Sequence, residues 1–188
     1  LGRVIDDFDG DGVVSASDKP LAGQKVYVDF DGDGVRDTGT LAVSSGAVAV
    51  AIVDRATARS TIDVAGAPLS ITDLDVTVNL AHTSIGDLTL RLVAPDGTPV
   101  LLARQRGGVG RAYTATVFDD EASTAIVSGT APFTGRFRPE SPLAAFDGMA
   151  TTGAWTLEVA DDGPGDVGTL TSWSLSFATA EPLATTDA

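Results

Sequence analysis

The stretch "LDVTVNL" at Leu74–Leu80 places Leu74, Val76, Val78 and Leu80 on one side of an extended chain and Asp75, Thr77 and Asn79 on the other. A period of two is the spacing of a strand with one buried face, and a helix would scatter the same four residues around its circumference. The pattern returns. "LTLRL" (Leu88–Leu92) alternates and stops at "APDGTP" (Ala94–Pro99), a Pro-Asp-Gly turn of the kind that joins antiparallel strands. "AWTLEV" (Ala154–Val159) and "SWSLSF" (Ser172–Phe177) alternate again, with Trp155, Leu157, Val159, Trp173, Leu175 and Phe177 on the apolar side. Between them "ADDGPGDVG" (Ala160–Gly168) has the composition of a loop. From about Ala42 onward no helical period lasts more than about two turns. The pattern predicts an all-β domain of two antiparallel sheets packed face to face, a β-sandwich or jelly roll.

The first forty residues have a different texture. They hold nine Asp and one short strand-like run, "QKVYVDF" (Gln24–Phe30). The division expected from this shift is an Asp-rich segment over 1–41, the sandwich over 42–178 and a polar tail or linker over 179–188. Across the chain 22 Asp stand against four Glu, and ten Arg against two Lys. Asp serves turns and metal loops, whereas Glu and Lys cover exposed helix faces, so helices are expected to be scarce. The formal net charge of -14 disfavours nucleic acid and anionic membrane surfaces and favours cations. No apolar run is long enough for membrane insertion, and the opening "LGRVIDDFDG" lacks the apolar core of a signal peptide, so the chain reads as a mature segment. With no cysteine, neither disulfides nor thiolate metal sites can hold the fold together.

The seven residues "DFDGDGV" occur twice, at Asp7–Val13 and Asp29–Val35. Carboxylates at alternate positions repel one another unless a cation lies among them. Extended to Asp18, the first copy places Asp7, Asp9, Asp11 and Asp18 at positions one, three, five and twelve, Gly12 at six and the Val13 carbonyl at seven. That is the layout of a twelve-residue calcium loop, closed here by Asp where an EF-hand has Glu. Pro20 argues against a long exiting helix. The second copy keeps Asp29, Asp31 and Asp33 and adds Asp37 at position nine, but Thr40 replaces the closing carboxylate, so weaker calcium binding is expected there. The competing reading is a pair of hydrophilic Asp-Gly turns. The unit Asp7–Gly39 resembles the calcium repeats of bacterial surface proteins, the SdrD-B-like, dockerin and thrombospondin type 3 loops, and the resemblance implies a calcium-stiffened spacer.

"STIDVAGAPLSITDLDVTVNLAHTSIGDLTLRLVAPDGTPVLL" (Ser60–Leu102) carries a His-Thr-x-x-Gly-Asp-Leu element as His82, Thr83, Gly86, Asp87 and Leu88. With "FDDEA" (Phe118–Ala122), "APFTGRFRPESPLAAFDG" (Ala131–Gly148) and "GAWTLEVADDGPGDVGTLTSWSLSF" (Gly153–Phe177), these residues resemble the P domain, or P/Homo B domain, of proprotein convertases and bacterial subtilisin-like proteases. The resemblance implies a galactose-binding-like jelly roll. It also implies a partner, a neighbouring subtilisin-like serine endopeptidase domain of the same polypeptide that the module stabilises or positions.

Catalysis by the chain itself is not expected. A Ser-His-Asp triad needs a histidine base; His82 is the only histidine, it closes an alternating run, and no G-x-S-x-G elbow occurs. "RGGVG" (Arg106–Gly110) precedes a strand-like run, so it reads as a flexible loop and not a phosphate cradle. Three acidic positions within the sandwich, Asp87, Asp119–Asp120 and Asp161, are candidate calcium ligands; equally, these carboxylates can accept backbone N–H bonds and fix loop shape. The expected molecule is an extracellular, monomeric, calcium-binding accessory module. The alternatives are a carbohydrate- or protein-binding module, which would show exposed aromatics, and a calcium-stiffened spacer of a bacterial surface protein.

Overall fold

In a computed structural model that describes residues 5–6, 19–20, 25–26, 38–66, 68–180 and 184–185, the one-sided alternation of Leu74–Leu80 forms the middle of a thirteen-residue strand. The strands in chain order are β1 (Ile5–Asp6), β2 (Lys19–Pro20), β3 (Lys25–Val26), β4 (Thr38–Ser44), β5 (Val50–Ile52), β6 (Thr57–Val64), β7 (Ser70–His82), β8 (Leu88–Val93), β9 (Pro99–Arg104), β10 (Ala112–Phe118), β11 (Phe133–Phe137), β12 (Gly153–Asp161), β13 (Gly168–Ala180) and β14 (Ala184–Thr185). Helical structure among the described residues is confined to 3₁₀ turns at Ile85–Asp87, Ile126–Ser128 and Leu143–Phe146, and no helix there is long and apolar enough to cross a membrane.

The chain divides into two compact units, Leu1–Thr38 with Ala180–Ala188, and Gly39–Thr179. In the smaller one β1 pairs antiparallel with β2, and β14 pairs antiparallel with β3. The C-terminal segment, expected as a tail, thus supplies one strand of a two-stranded ladder. The calcium-loop residues Asp7, Asp9, Asp11, Val13, Asp18, Asp29, Asp31, Asp33 and Asp37 lie outside the described residues.

The larger unit is a β-sandwich. One sheet has the order β11-β10-β7-β13-β4, with β5 also on β13; the other has the order β6-β12-β8-β9. The apolar sides of the alternating runs meet between them: Leu74, Val76, Val78, Leu80, Leu88, Leu90, Leu92, Trp155, Leu157, Val159, Trp173, Leu175 and Phe177 are all buried. Trp155 packs edge-on against Phe146 at 5.1 Å and tilted against Phe177 at 5.4 Å. The indole N–H of Trp173 in one sheet donates to the Ser60 hydroxyl in the other at 2.9 Å, so the largest core ring leaves no orphaned donor.

One pairing departs from the antiparallel expectation. β10 and β11 run parallel, Tyr113 opposite Phe133, because segment 119–132 is long enough for the crossover of a dozen or so residues that parallel neighbours require. A bulge between Tyr113 and Thr116 interrupts β10 on both sides, with Ala115 at φ 46°. Its freed N–H donates to Asn79 Oδ1 at 2.7 Å, and Asn79 Nδ2 donates to Ser172 Oγ at 3.1 Å, so the irregularity is fully bonded.

Candidate functional site

Four connections gather at one end of the sandwich. The turn after β7 bonds the loop before β13 through Thr83 N to the Val167 carbonyl (3.1 Å) and Val167 N to Thr83 Oγ (3.0 Å). It bonds the loop after β9 through Gly86 N to the Gly108 carbonyl (2.8 Å) and Ile85 N to the Gly110 carbonyl (2.9 Å). Gly165 N donates to Asp54 Oδ1 at 2.8 Å, which ties in the β5–β6 connection. The loop Arg106–Gly110, expected to be flexible, is therefore fastened at two points. A Cβ on Gly86 would sit 2.7 Å from the Gly108 Cα and carbonyl oxygen, so the close approach requires glycine.

His82 and Asp161 lie beneath these loops. The imidazole Nδ1 is 2.7 Å from the Ser84 carbonyl and 3.2 Å from Ser84 N. Nε2 faces Asp161 Oδ2 at 3.3 Å, and both side chains are fully buried. Asp161 Oδ1 accepts the Gly163 N–H at 3.1 Å. Gly168 packs against the other side, where a Cβ would collide with the Ala81 carbonyl oxygen and lie 2.5 Å from His82 Cδ2. Composition pointed to Asp161 as a metal candidate and to His82 as a turn residue; that they meet was invisible, since β12 and β7 belong to different sheets. The base of a catalytic triad must be reached by substrate, and this imidazole is shielded on every side.

Asp87 is half-buried, with its carboxylate against Gly163 and its carbonyl accepting Asp162 N at 2.8 Å. Thr89 Oγ donates to Asp162 Oδ2 at 2.6 Å. An open groove of about 420 Å³ is lined by Ala81, His82, Thr83, Arg111 and Val167–Thr169. Three of the four large apolar side chains exposed among the described residues sit on these loops: Val53 (51%), Val109 (89%) and Val167 (54%).

At the opposite end Asp119 follows β10. Arg136 Nε donates to Asp119 Oδ2 at 2.5 Å, and Arg136 Nη2 donates to both Asp75 oxygens at 2.8 and 2.7 Å, joining β7, β10 and β11. The Glu121 N–H bonds Asp119 Oδ1 at 2.8 Å, and the Ala144 N–H bonds Asp120 Oδ2 at 2.9 Å. Burial pushes the Asp119 carboxyl up, but the Arg136 guanidinium and the Glu121 N–H outweigh it and hold it below the usual range. For Asp75 burial wins over the same guanidinium, and its carboxyl is raised. Among the described residues no group of three or more Asp, Glu or His side chains converges as a metal ligand set. Asp87, Asp119, Asp120 and Asp161 are spread over both ends, and each is engaged in holding loops together.

Of the three arginines around this loop, Arg104, Arg106 and Arg111, the second is neutralised by an acidic partner. Arg106 bonds Glu140 bidentately at 2.9 and 2.8 Å, and Arg104 N donates to Glu140 Oε1 at 2.6 Å. The Arg106 guanidinium holds the Glu140 carboxyl below its ordinary range. Sequence reasoning missed Arg136 and Glu140, because nothing local marks either as a long-range partner.

With this geometry in view, the profile of the family described as "Proprotein convertase P-domain" matches residues 71–177, from the first buried residue of β7 to the end of the core in β13. The chain belongs to the proprotein convertase P-domain family. The matched stretch contains His82, Asp161 and all of the bonded loops except the β5–β6 connection. Related proteins are the transglutaminase-activating metalloprotease of Streptomyces mobaraensis, 31% identical over 76% of this chain and 16% of the relative, and leupeptin-inactivating enzyme 1 of Streptomyces exfoliatus, 31% over 54% and 18%. A calcium-dependent protease of Trichormus variabilis is 32% identical over 57% of this chain and 14% of its own length. The P-domain chain thus spans less than a fifth of these relatives. Its fold is also that of part of the serine protease of Aeromonas sobria, with a TM-score of 0.53 and 21% identity over 79% of this chain and 28% of that one.

Proposed function

We propose that this P domain is a non-catalytic, extracellular accessory module that stabilises and positions a protease domain of its own polypeptide, with calcium held by the Asp-rich segment. The observation that carries the reading is the family match over 71–177 in a chain that covers only 14–18% of relatives, two of them named as proteases. A subtilisin-like serine endopeptidase is the neighbour implied by the sequence resemblance. The burial of His82, the chain's one histidine, favours an accessory role over catalysis. The name of the Trichormus variabilis relative, a calcium-dependent protease, favours the assignment of calcium to Asp7, Asp9, Asp11, Val13 and Asp18, with a weaker site at Asp29, Asp31, Asp33 and Asp37.

The neighbour docks on the loop end, where Val167 and Arg111 line the groove and Val53 and Val109 stand on the other bonded loops, because three of the four large apolar side chains exposed among the described residues lie there. Carbohydrate stacking has less support: among the described residues no aromatic ring is exposed, and Trp155, Trp173, Tyr113, Phe118, Phe133, Phe146 and Phe177 are buried. The test is the parent polypeptide with and without residues 42–178. Deletion should lower the yield of folded protease and its Tm. A parent reading frame without a protease domain, or a protease indifferent to the deletion, would refute the reading.

A further inference from the structure

Three edge strands of the sandwich, β9, β11 and β6, differ in what covers their outer side. β9 is covered by Glu140 and Ser141, whose N–H groups donate to the carbonyls of Leu102 (3.1 Å) and Leu101 (2.9 Å). β11 is flanked by the Thr124–Ile126 segment, through Arg138 N to the Thr124 carbonyl at 2.8 Å. β6 is left open. Its eight residues pair with β12 from Thr57↔Ala160 to Val64↔Gly153, and among the described residues no backbone hydrogen bond is made on its outer side. Every second residue of such a strand turns its N–H and C=O outward, which makes a template for another strand.

The side chains on this edge specify what the other strand can be. Thr57, Arg59, Thr61 and Asp63 point to solvent, while Ser60, Ile62 and Val64 point to the core. We propose that β6 is a self-association edge, where a second copy of this chain adds its own β6 antiparallel about a two-fold axis at Thr61. In that register Arg59 of each copy lies directly opposite Asp63 of the other, twice, and Thr61 meets its counterpart. On the inner face Ser60 meets Ile62 and Ala58 meets Val64, so the two cores become continuous. Natural edge strands commonly carry charge to repel a partner; here the two charges have opposite sign and a spacing that satisfies both when the strand pairs with itself. Asp63 has no ion-pair partner among the described residues. Arg59 uses Nε on Glu158 at 2.8 Å, and with its side chain 61% exposed its terminal nitrogens remain free for a second carboxylate. At 0.15 M ionic strength screening confines the mutual repulsion of two acidic chains to about 8 Å, while opposed residues at the edge lie closer than that.

Sedimentation of the 188-residue chain from micromolar to millimolar concentration tests this, with circular dichroism confirming that each variant folds. The wild type should dimerise. Arg59→Asp or Asp63→Arg turns two attractions into two repulsions and should weaken association at least about tenfold. An equimolar mixture of the two variants should form a heterodimer, and the exchanged variant carrying both substitutions should dimerise like the wild type. A monomer at every concentration overturns the proposal, as does a dimer indifferent to either charge. Protection of the outward-facing β6 amides, those not bonded to β12, from hydrogen exchange in a monomeric parent polypeptide also overturns it, since a neighbouring domain would then occupy the edge.

Discussion

The Nε2 of His82 lies 3.3 Å from Oδ2 of Asp161 where the end of β7 in one sheet meets the end of β12 in the other, with both side chains fully buried and neither of these two atoms hydrogen-bonded. The pair's hydrogen-bond partners are local backbone: the Ser84 carbonyl for Nδ1 and the Gly163 N–H for Oδ1. Asp161→Asn retains the shape and removes the charge that faces the ring. Leaving a buried polar group poorly matched costs about 1–3 kcal/mol, more for a charged one, so the urea midpoint should fall accordingly. An unchanged midpoint would show that the pair is mere packing.

Gly168→Ala should be as damaging, for a steric reason. The added methyl meets the Ala81 carbonyl oxygen first and then His82 Cδ2 at 2.5 Å, and the backbone oxygen at the end of β7 cannot swing away. Overpacking of this kind costs roughly 1–3 kcal/mol and should lower Tm by several degrees. A Tm unchanged by Gly168→Ala would show that no such clash exists.

Glu140 gives a pH signature. Its folded carboxyl is held below the ordinary 4.5 by Arg106, so the stability it contributes is present above that value and lost as pH falls through the folded value. Glu140→Gln should therefore lower Tm at neutral pH, with the difference shrinking as the pH falls below 4.5. Arg106 is 36% exposed, and screening by water keeps the effect modest. A gap that widens in acid would contradict the assignment.

Calcium should raise the Tm of the chain and chelation lower it, since an ion that binds only the folded segment adds about 2.7 kcal/mol at a hundred times its Kd. Asp9→Asn with Asp11→Asn should abolish most of the difference, and the corresponding change at Asp31 and Asp33 should remove less. Equal melting with calcium and with chelator would eliminate the loop assignment at the Asp-rich segment.

Val109→Asp and Val167→Asp test the docking end. Both residues are more than half exposed, so the isolated chain should melt within about 0.5 kcal/mol of the wild type. In the parent polypeptide the same changes should lower the Tm of the protease domain. A parent that melts unchanged would move the docking site elsewhere.

The sandwich was legible because period-two alternation is local: Leu74–Leu80, Ala154–Val159 and Ser172–Phe177 declare their buried sides without reference to one another. The family was legible for the same reason, since the His82–Leu88 element and the loop residues stand close together in the chain. Partnership between distant residues was not. Whether Asp161 meets a cation or an imidazole, whether Asp119 and Asp75 share Arg136, and which strand is left at an open edge all depend on which strands become neighbours. Alternation sets the side a residue faces; only the long connections, settled by closure of the whole core, determine what it finds there.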